Sequence, residues 1–134
     1  MKIGVYAAHD DDALVAVGGL LSRYSKEGNK IFYLIFTDGR ASHKAVLNIN
    51  KNPTEEVVKK TPKIEIKNAL SFLDINSLYF LDFYDRKLEK NEKNAEDKCR
   101  EITMKEKPDI IFFQFPDAHP DHRAANKIMK KIIN

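Results

Sequence analysis

The stretch IGVYAAHDDDALVAVGGLLSRYSKEGNKIFYLIFT, residues 3–37, reads as strand, helix, strand. Ile3–Ala8 and Ile31–Thr37 are nearly continuous apolar runs rather than alternating ones, as expected of strands covered on both faces. Between them Leu14, Val17, Leu21 and Tyr24 recur at helical spacing, and the segment stops at Gly28-Asn29, a good helix terminator. Further out, Leu78–Phe83 and Ile110–Phe115 are two more such strands. Helical spacing runs from about Pro62, a natural first-turn proline, to Leu73, and from about Asn94 to Lys105 before Pro108. Strands alternating with helices predict an α/β chain, a three-layer Rossmann-like domain with a mostly parallel sheet and right-handed crossovers. Such sheets gather their functional residues at the C-terminal edge of the strands. Gly39–Lys60, rich in Asn and Lys, reads as a long loop or flap with a short helix around Glu55–Lys59.

With 134 residues, 43% of them hydrophobic, the expectation is one domain spanning 1–134 around one core. Basic and acidic residues nearly balance, 23 against 20, which argues against nucleic acid as a partner. The lysines are spread along helical stretches (Lys59, Lys60, Lys63 and Lys67; Lys87, Lys90, Lys93 and Lys98), the pattern of solvated faces. A single cysteine, Cys99, allows neither a disulfide framework nor a thiolate metal cluster, so any metal must use histidines and carboxylates. No signal-peptide pattern opens the chain, and the longest apolar run, Ala13–Leu21, falls short of the ~20 residues that cross a bilayer. A soluble, cytoplasmic protein without a membrane span is expected.

Two clusters lie just beyond predicted strands: Ala8-His9-Asp10-Asp11-Asp12 after the first and His119-Pro120-Asp121-His122 after the fourth. Three successive carboxylates repel one another unless solvated or neutralised by a cation, and a helix N-terminus offsets part of that charge. Singly, each cluster has an ordinary explanation. Asp10–Asp12 are good capping residues, and Pro120 with Asp121 suits the first turn of a helix. Together they offer imidazoles and carboxylates from one sheet edge, a mixed nitrogen and oxygen set that suits zinc with an open coordination position.

The stretch Ala8–Gly19, AHDDDALVAVGG, resembles the A-H-P-D-D-E motif and following glycine pair of the LmbE-like, or PIG-L, N-acetylglucosaminyl deacetylases. His119-Pro120-Asp121-His122, followed by Arg123-Ala124-Ala125, resembles that family's second motif. Weaker matches run between them at Lys26-Glu27-Gly28, Thr37-Asp38-Gly39, Glu65 with Ala69 and Leu73, and Phe80-Leu81 to Leu88, so the likeness spans almost the whole chain. It implies an LmbE-like fold and metal-dependent hydrolysis of the acetamide of an N-acetylated sugar or glycoconjugate. It further implies His9, Asp12 and His122 as ligands of Zn2+, with Asp11 as general base. Iron(II) is an alternative ion, because two histidines and one aspartate do not choose strongly among such metals.

Zinc lowers the pKa of bound water towards ~7, so a neighbouring carboxylate can take its proton at neutral pH. Neighbouring residues at a helix start point in different directions, which leaves Asp12 for the metal and Asp11 for the water or the substrate amide. His119 is the candidate for stabilising the oxyanion, with Asp121 expected to orient it and to favour its imidazolium form. Arg40 and His43 in the loop after strand two, and Asp85 after strand three, are candidate substrate contacts.

Two departures from the family stand out. Asp10 occupies the usual Pro position, which loosens the turn and adds a third negative charge near the metal, and Ala13 occupies the usual Glu position. Family members also continue well beyond the second motif, whereas one predicted helix follows it here. Homo-oligomers in which a neighbouring subunit completes the pocket fit that shortness. Two rival readings follow. A receiver-like, magnesium-binding signalling domain would use Asp82 or Asp85 as phosphoacceptor, but lacks a Lys close after strand four. An inactive metal- or sugar-binding relative would have no need of Asp11 and His119.

Overall fold

The computed structural model describes residues 1–39 and 55–134. Arg40 and His43 lie outside the described residues. Four strands, β1 (Lys2–Ala7), β2 (Lys30–Thr37), β3 (Ile75–Phe83) and β4 (Ile110–Phe113), form one sheet of order β3-β2-β1-β4. Every neighbouring pair is parallel, as near-continuous apolar strands predict. Alternate residues still divide the two faces. Ile31, Tyr33 and Ile35 of β2 pack with Ile3, Val5 and Ala7 against α1 (Asp12–Lys26), through Leu21, and against α2 (Glu55–Leu70), through Ile66 and Leu70. Phe32, Leu34 and Phe36 pack with Tyr6 against α3 (Glu92–Glu106), through Ala95 and Cys99, and against α4 (Pro120–Ile133), through Ala125, Ile128 and Met129. Two helices on each face make the expected three-layer α/β arrangement. Gly4 is needed in β1, because a Cβ there would lie 2.7 Å from the Phe32 ring.

Element boundaries shift where polar residues hide a strand or a helix starts early. β3 begins at Ile75 rather than Leu78, since Asn76 is recruited by its side chain, which accepts the Ile31 N–H at 2.9 Å. β4 stops at Phe113, two residues short of expectation, and the Gln114 carbonyl accepts from Asn126 Nδ2 at 2.9 Å. The helix expected from Pro62 begins at Glu55 and absorbs the short helix expected at Glu55–Lys59, so the proline sits inside it. An interior proline removes one i→i−4 bond, a loss that tertiary packing of the later Ile66–Leu70 face outweighs. At the other end of the domain α3 closes with Lys107 in the left-handed conformation (φ 50°) ahead of Pro108, the stop its sequence suggests.

The order 3-2-1-4 places the switch between β1 and β4, whose C-terminal ends diverge into α1 and α4 and open a crevice there. Receiver domains have the order 2-1-3-4-5, so the receiver-like alternative fails on topology. No helix among the described residues is long and apolar enough to cross a membrane.

Candidate metal centre and active site

The ends of β1, β2 and β3 are stitched together just below this crevice. The Thr37 backbone N–H and hydroxyl both donate to the Ala8 carbonyl (3.0 and 2.8 Å), the Asp38 N–H donates to the Phe83 carbonyl (3.0 Å), and Asp38 Oδ1 accepts the Asp85 N–H (3.3 Å). His9 therefore leaves β1 from a fixed point. His119 is the N-cap of α4, where Pro120 is the first helical residue, and it brings His122 round to face His9 one turn later. Their ring centroids are 5.1 Å apart.

Three side-chain atoms meet in a near-equilateral triangle. His9 Nδ1 is 3.1 Å from Asp12 Oδ2 and 3.2 Å from His122 Nε2, and His122 Nε2 is 3.3 Å from Asp12 Oδ2. Ligands held at ~2.0–2.1 Å by a tetrahedral zinc ion lie about 3.3–3.4 Å from one another, so this triangle has the dimensions of one face of such a site. Asp12 is not a helix cap. Its Oδ2 turns back to accept the His9 N–H at 2.8 Å, and the N-cap residue Asp11 makes no side-chain capping bond. The capping explanation of the acidic triplet is thereby set aside.

Behind His9 stand two buried carboxylates. Its Nε2 lies 3.1 Å from Asp85 Oδ1 and 3.0 Å from Asp121 Oδ2. Asp121 also accepts the Arg86 N–H (2.6 Å) and the Leu88 N–H (3.1 Å), and Arg86 adopts φ 66° within this turn. A left-handed non-glycine residue costs ~1–2 kcal/mol, and here it directs an N–H at the carboxylate. Burial opposes the charged form of His9, but hydrogen bonds to Asp12, Asp121 and Asp85 outweigh it and push its pKa up to about 11. The Asp12 carboxyl, against the cost of its own burial, is drawn below its usual value by His9. These carboxylates therefore favour positive charge at His9. His9, His119 and His122 also bring ring nitrogens within 4.8 Å of one another. The other convergent group, His9 with Asp85, His119 and Asp121, uses carboxylates already committed to His9 Nε2.

Two expected roles are corrected. Asp121 was expected to orient His119, but its carboxylate serves His9 while its backbone N–H donates to His119 Nδ1 at 3.1 Å. With Nδ1 accepting, the proton of neutral His119 belongs on Nε2. Burial and then the neighbouring His9 charge lower the His119 pKa, contrary to the expected imidazolium. Asp85 was expected at the substrate, yet it is 3% exposed and packs behind His9. Sequence reading missed Asp117, whose Oδ2 lies 2.7 Å from His122 Nδ1 and whose Oδ1 accepts the His119 N–H at 2.8 Å. Its place two residues before His119, in D-A-H-P-D-H, was the available signal.

In front of the triangle an open cavity of about 260 Å3 is lined by His9, Asp10, Asp11, Asp12, Gly39, His119 and His122. That is just below the ~300 Å3 where small-molecule sites usually begin. The cavity joins a carboxylate and an imidazole donor to the face where a cation fits.

Known proteins share this frame. The "probable N-acetyl-alpha-D-glucosaminyl L-malate deacetylase 2" of Bacillus cereus is 27% identical over 129 residues, 94% of this chain and 58% of that protein. Among solved structures, the N,N'-diacetylchitobiose deacetylase from Pyrococcus horikoshii superposes with a TM-score of 0.87 at 22% identity, over 98% of this chain and 49% of that one. The 4-carboxy-2-hydroxymuconate hydratase from Pseudomonas putida KT2440 does so with a TM-score of 0.85 at 19% identity, over 98% and 55%. This chain thus spans about half the length of the proteins it matches. At these identities the structures establish the fold, and a fold shared by a deacetylase and a hydratase does not by itself choose a reaction. The family is decided by sequence: the model of the family described as "PIG-L: GlcNAc-PI de-N-acetylase" matches residues 5–133, and the chain belongs to the PIG-L family.

Proposed function

We propose that this chain carries the metal centre of an N-deacetylase, hydrolysing the acetamide of an N-acetylglucosamine-type sugar to acetate and a free amine. The supporting observation is the triangle of His9 Nδ1, Asp12 Oδ2 and His122 Nε2, with sides of 3.1–3.3 Å, opening on a cavity that also contains Asp11 and His119. These three residues would hold Zn2+ or a similar divalent ion, Fe2+ included. When bound, such an ion polarises the amide carbonyl and makes water acidic enough to be deprotonated near neutral pH.

Asp11 stands at the mouth of α1, beside Asp12 and facing the cavity, where it can take the proton of the attacking water and return it to the leaving amine. His119 presents Nε2–H, because its Nδ1 is occupied by the Asp121 N–H, and so offers a neutral donor to the developing oxyanion. Asp85 and Asp121 hold His9 by Nε2, leaving the Nδ1 lone pair for the metal. Gly39 lines the cavity, and Arg40 and His43, which follow it in sequence, remain proposed substrate contacts. The test is release of acetate and primary amine from N-acetylglucosamine and diacetylchitobiose by zinc-loaded protein. Turnover that Asp11→Asn abolishes while zinc stays bound supports the assignment. Metal-loaded protein with no turnover of either sugar, or an Asp11→Asn variant as fast as wild type, removes it.

A further inference from the structure

Each imidazole of the triangle points a different nitrogen inward, His9 its Nδ1 and His122 its Nε2. A ligating histidine keeps the correct tautomer when its other nitrogen donates to an acceptor. For His9 that acceptor is the buried pair Asp85 and Asp121. For His122 it is Asp117, whose side chain is 49% exposed and belongs to the loop between β4 and α4.

An aspartate in a loop commonly accepts the N–H two residues on, and the bond from the His119 N–H to Asp117 Oδ1 is of that kind. The second oxygen has no part in such a turn. It reaches instead to His122 Nδ1 at 2.7 Å, a distance typical of a charge-assisted bond, although an exposed carboxylate could be satisfied by water. The loop is held in that pose by Arg123, whose guanidinium donates to the carbonyls of Asp117 (3.2 Å) and Ala118. One carboxylate thus grips both histidines of the second motif, one by its backbone and the other by its ring.

We propose that Asp117 is a positioning residue of the active site: it fixes the His122 tautomer with Nε2 free for the metal and, through the His119 N–H, sets the donor that faces the substrate. This rests on the metal-site reading above. An asparagine at 117 has one acceptor for two donors and must give up one of these bonds, whereas an alanine gives up both. Removal of such an outer partner costs about 10–100-fold in metal affinity, so Asp117→Asn should fall near the low end of that range and Asp117→Ala near the high end.

The experiment is Zn2+ competition between each purified full-length protein and a chromogenic chelator, paired with thermal melts in excess chelator and the visible absorption of the Co2+-substituted forms. The expected result is graded weakening of Zn2+ binding, asparagine less than alanine, with an altered Co2+ spectrum and metal-free melting temperatures equal to wild type. If wild type binds zinc and both variants bind it equally well, Asp117 has no positioning role. Affinity lost only in proportion to a lowered metal-free melting temperature would likewise reduce it to a loop residue. Wild-type protein that takes up no zinc would overturn the metal-site reading, and this inference with it.

Discussion

The two ends of the sheet handle carboxylates in opposite ways. At the N-terminal end Glu106 bonds Lys2 Nζ at 2.9 Å and the Tyr79 hydroxyl, and Asp109 accepts the Lys2 N–H at 2.7 Å. Charge is balanced locally there, and the bonds tie α3 to β1 and β3. At the C-terminal end Asp12, Asp85 and Asp121 converge on the ring of His9, and Asp12 and Asp117 on that of His122. An ion pair with lysine is complete in itself. A carboxylate–imidazole cluster has a component that a metal ion can replace, because imidazole loses its proton to become a ligand and lysine does not at neutral pH.

The sharpest way to break this contrast is to remove a vertex of the triangle. Elemental analysis should find roughly one zinc or iron per wild-type chain and none in His122→Ala, which should also lose about 10³-fold or more in hydrolysis, the rate equivalent of ~4 kcal/mol of charge stabilisation. A variant that retained stoichiometric metal would place the centre elsewhere. Next in size is Asp11→Asn, expected to keep its metal and lose ~10²–10⁴-fold in kcat, since general base catalysis is worth that range. Smaller again is Asp121→Asn. Its amide nitrogen must face one of three donors, from Arg86, Leu88 or His9, so a stability loss of ~1–3 kcal/mol by urea denaturation should accompany weaker zinc binding. Unchanged values in both measurements would show that the buried carboxylate does not serve His9.

Most of the upper end was legible in sequence because its chemistry is local. His9 and Asp12 are three residues apart, as are His119 and His122; the first pair directly follows, and the second comes a few residues after, an apolar run that announces a parallel strand. Directions of side chains were not legible. Which of His9 and His119 receives the Asp121 carboxylate depends on the turn at 84–88, where Arg86 adopts φ 66° to present its N–H, and no periodicity reports that. Asp85 looked like a pocket residue for the same reason: its distance from β3 was clear, but its burial behind His9 arises from pairing across 76 positions of sequence. Helix α2 was misread at its start because proline marks first turns more often than interiors.

Glu106→Gln probes the lower end and should give the smallest effect. The hydrogen bonds from Tyr79 and then Lys2 hold the Glu106 carboxyl below its ordinary value of 4.5. A group whose folded pKa is depressed stabilises the fold above its unfolded pKa, and the contribution disappears as pH falls through the folded value. Glutamine keeps the shape but not the charge, so it should cost ~1 kcal/mol at pH 7, with the gap to wild type closing as the pH drops below the carboxylate range. Raising salt should narrow the gap too, since Lys2 is partly exposed. Zinc affinity should not move, because the pair lies at the opposite end of β1 from His9. A Glu106→Gln protein that lost metal as well as stability would mean that the two ends of the sheet are coupled through β1, and the contrast between a structural and a functional end would fail.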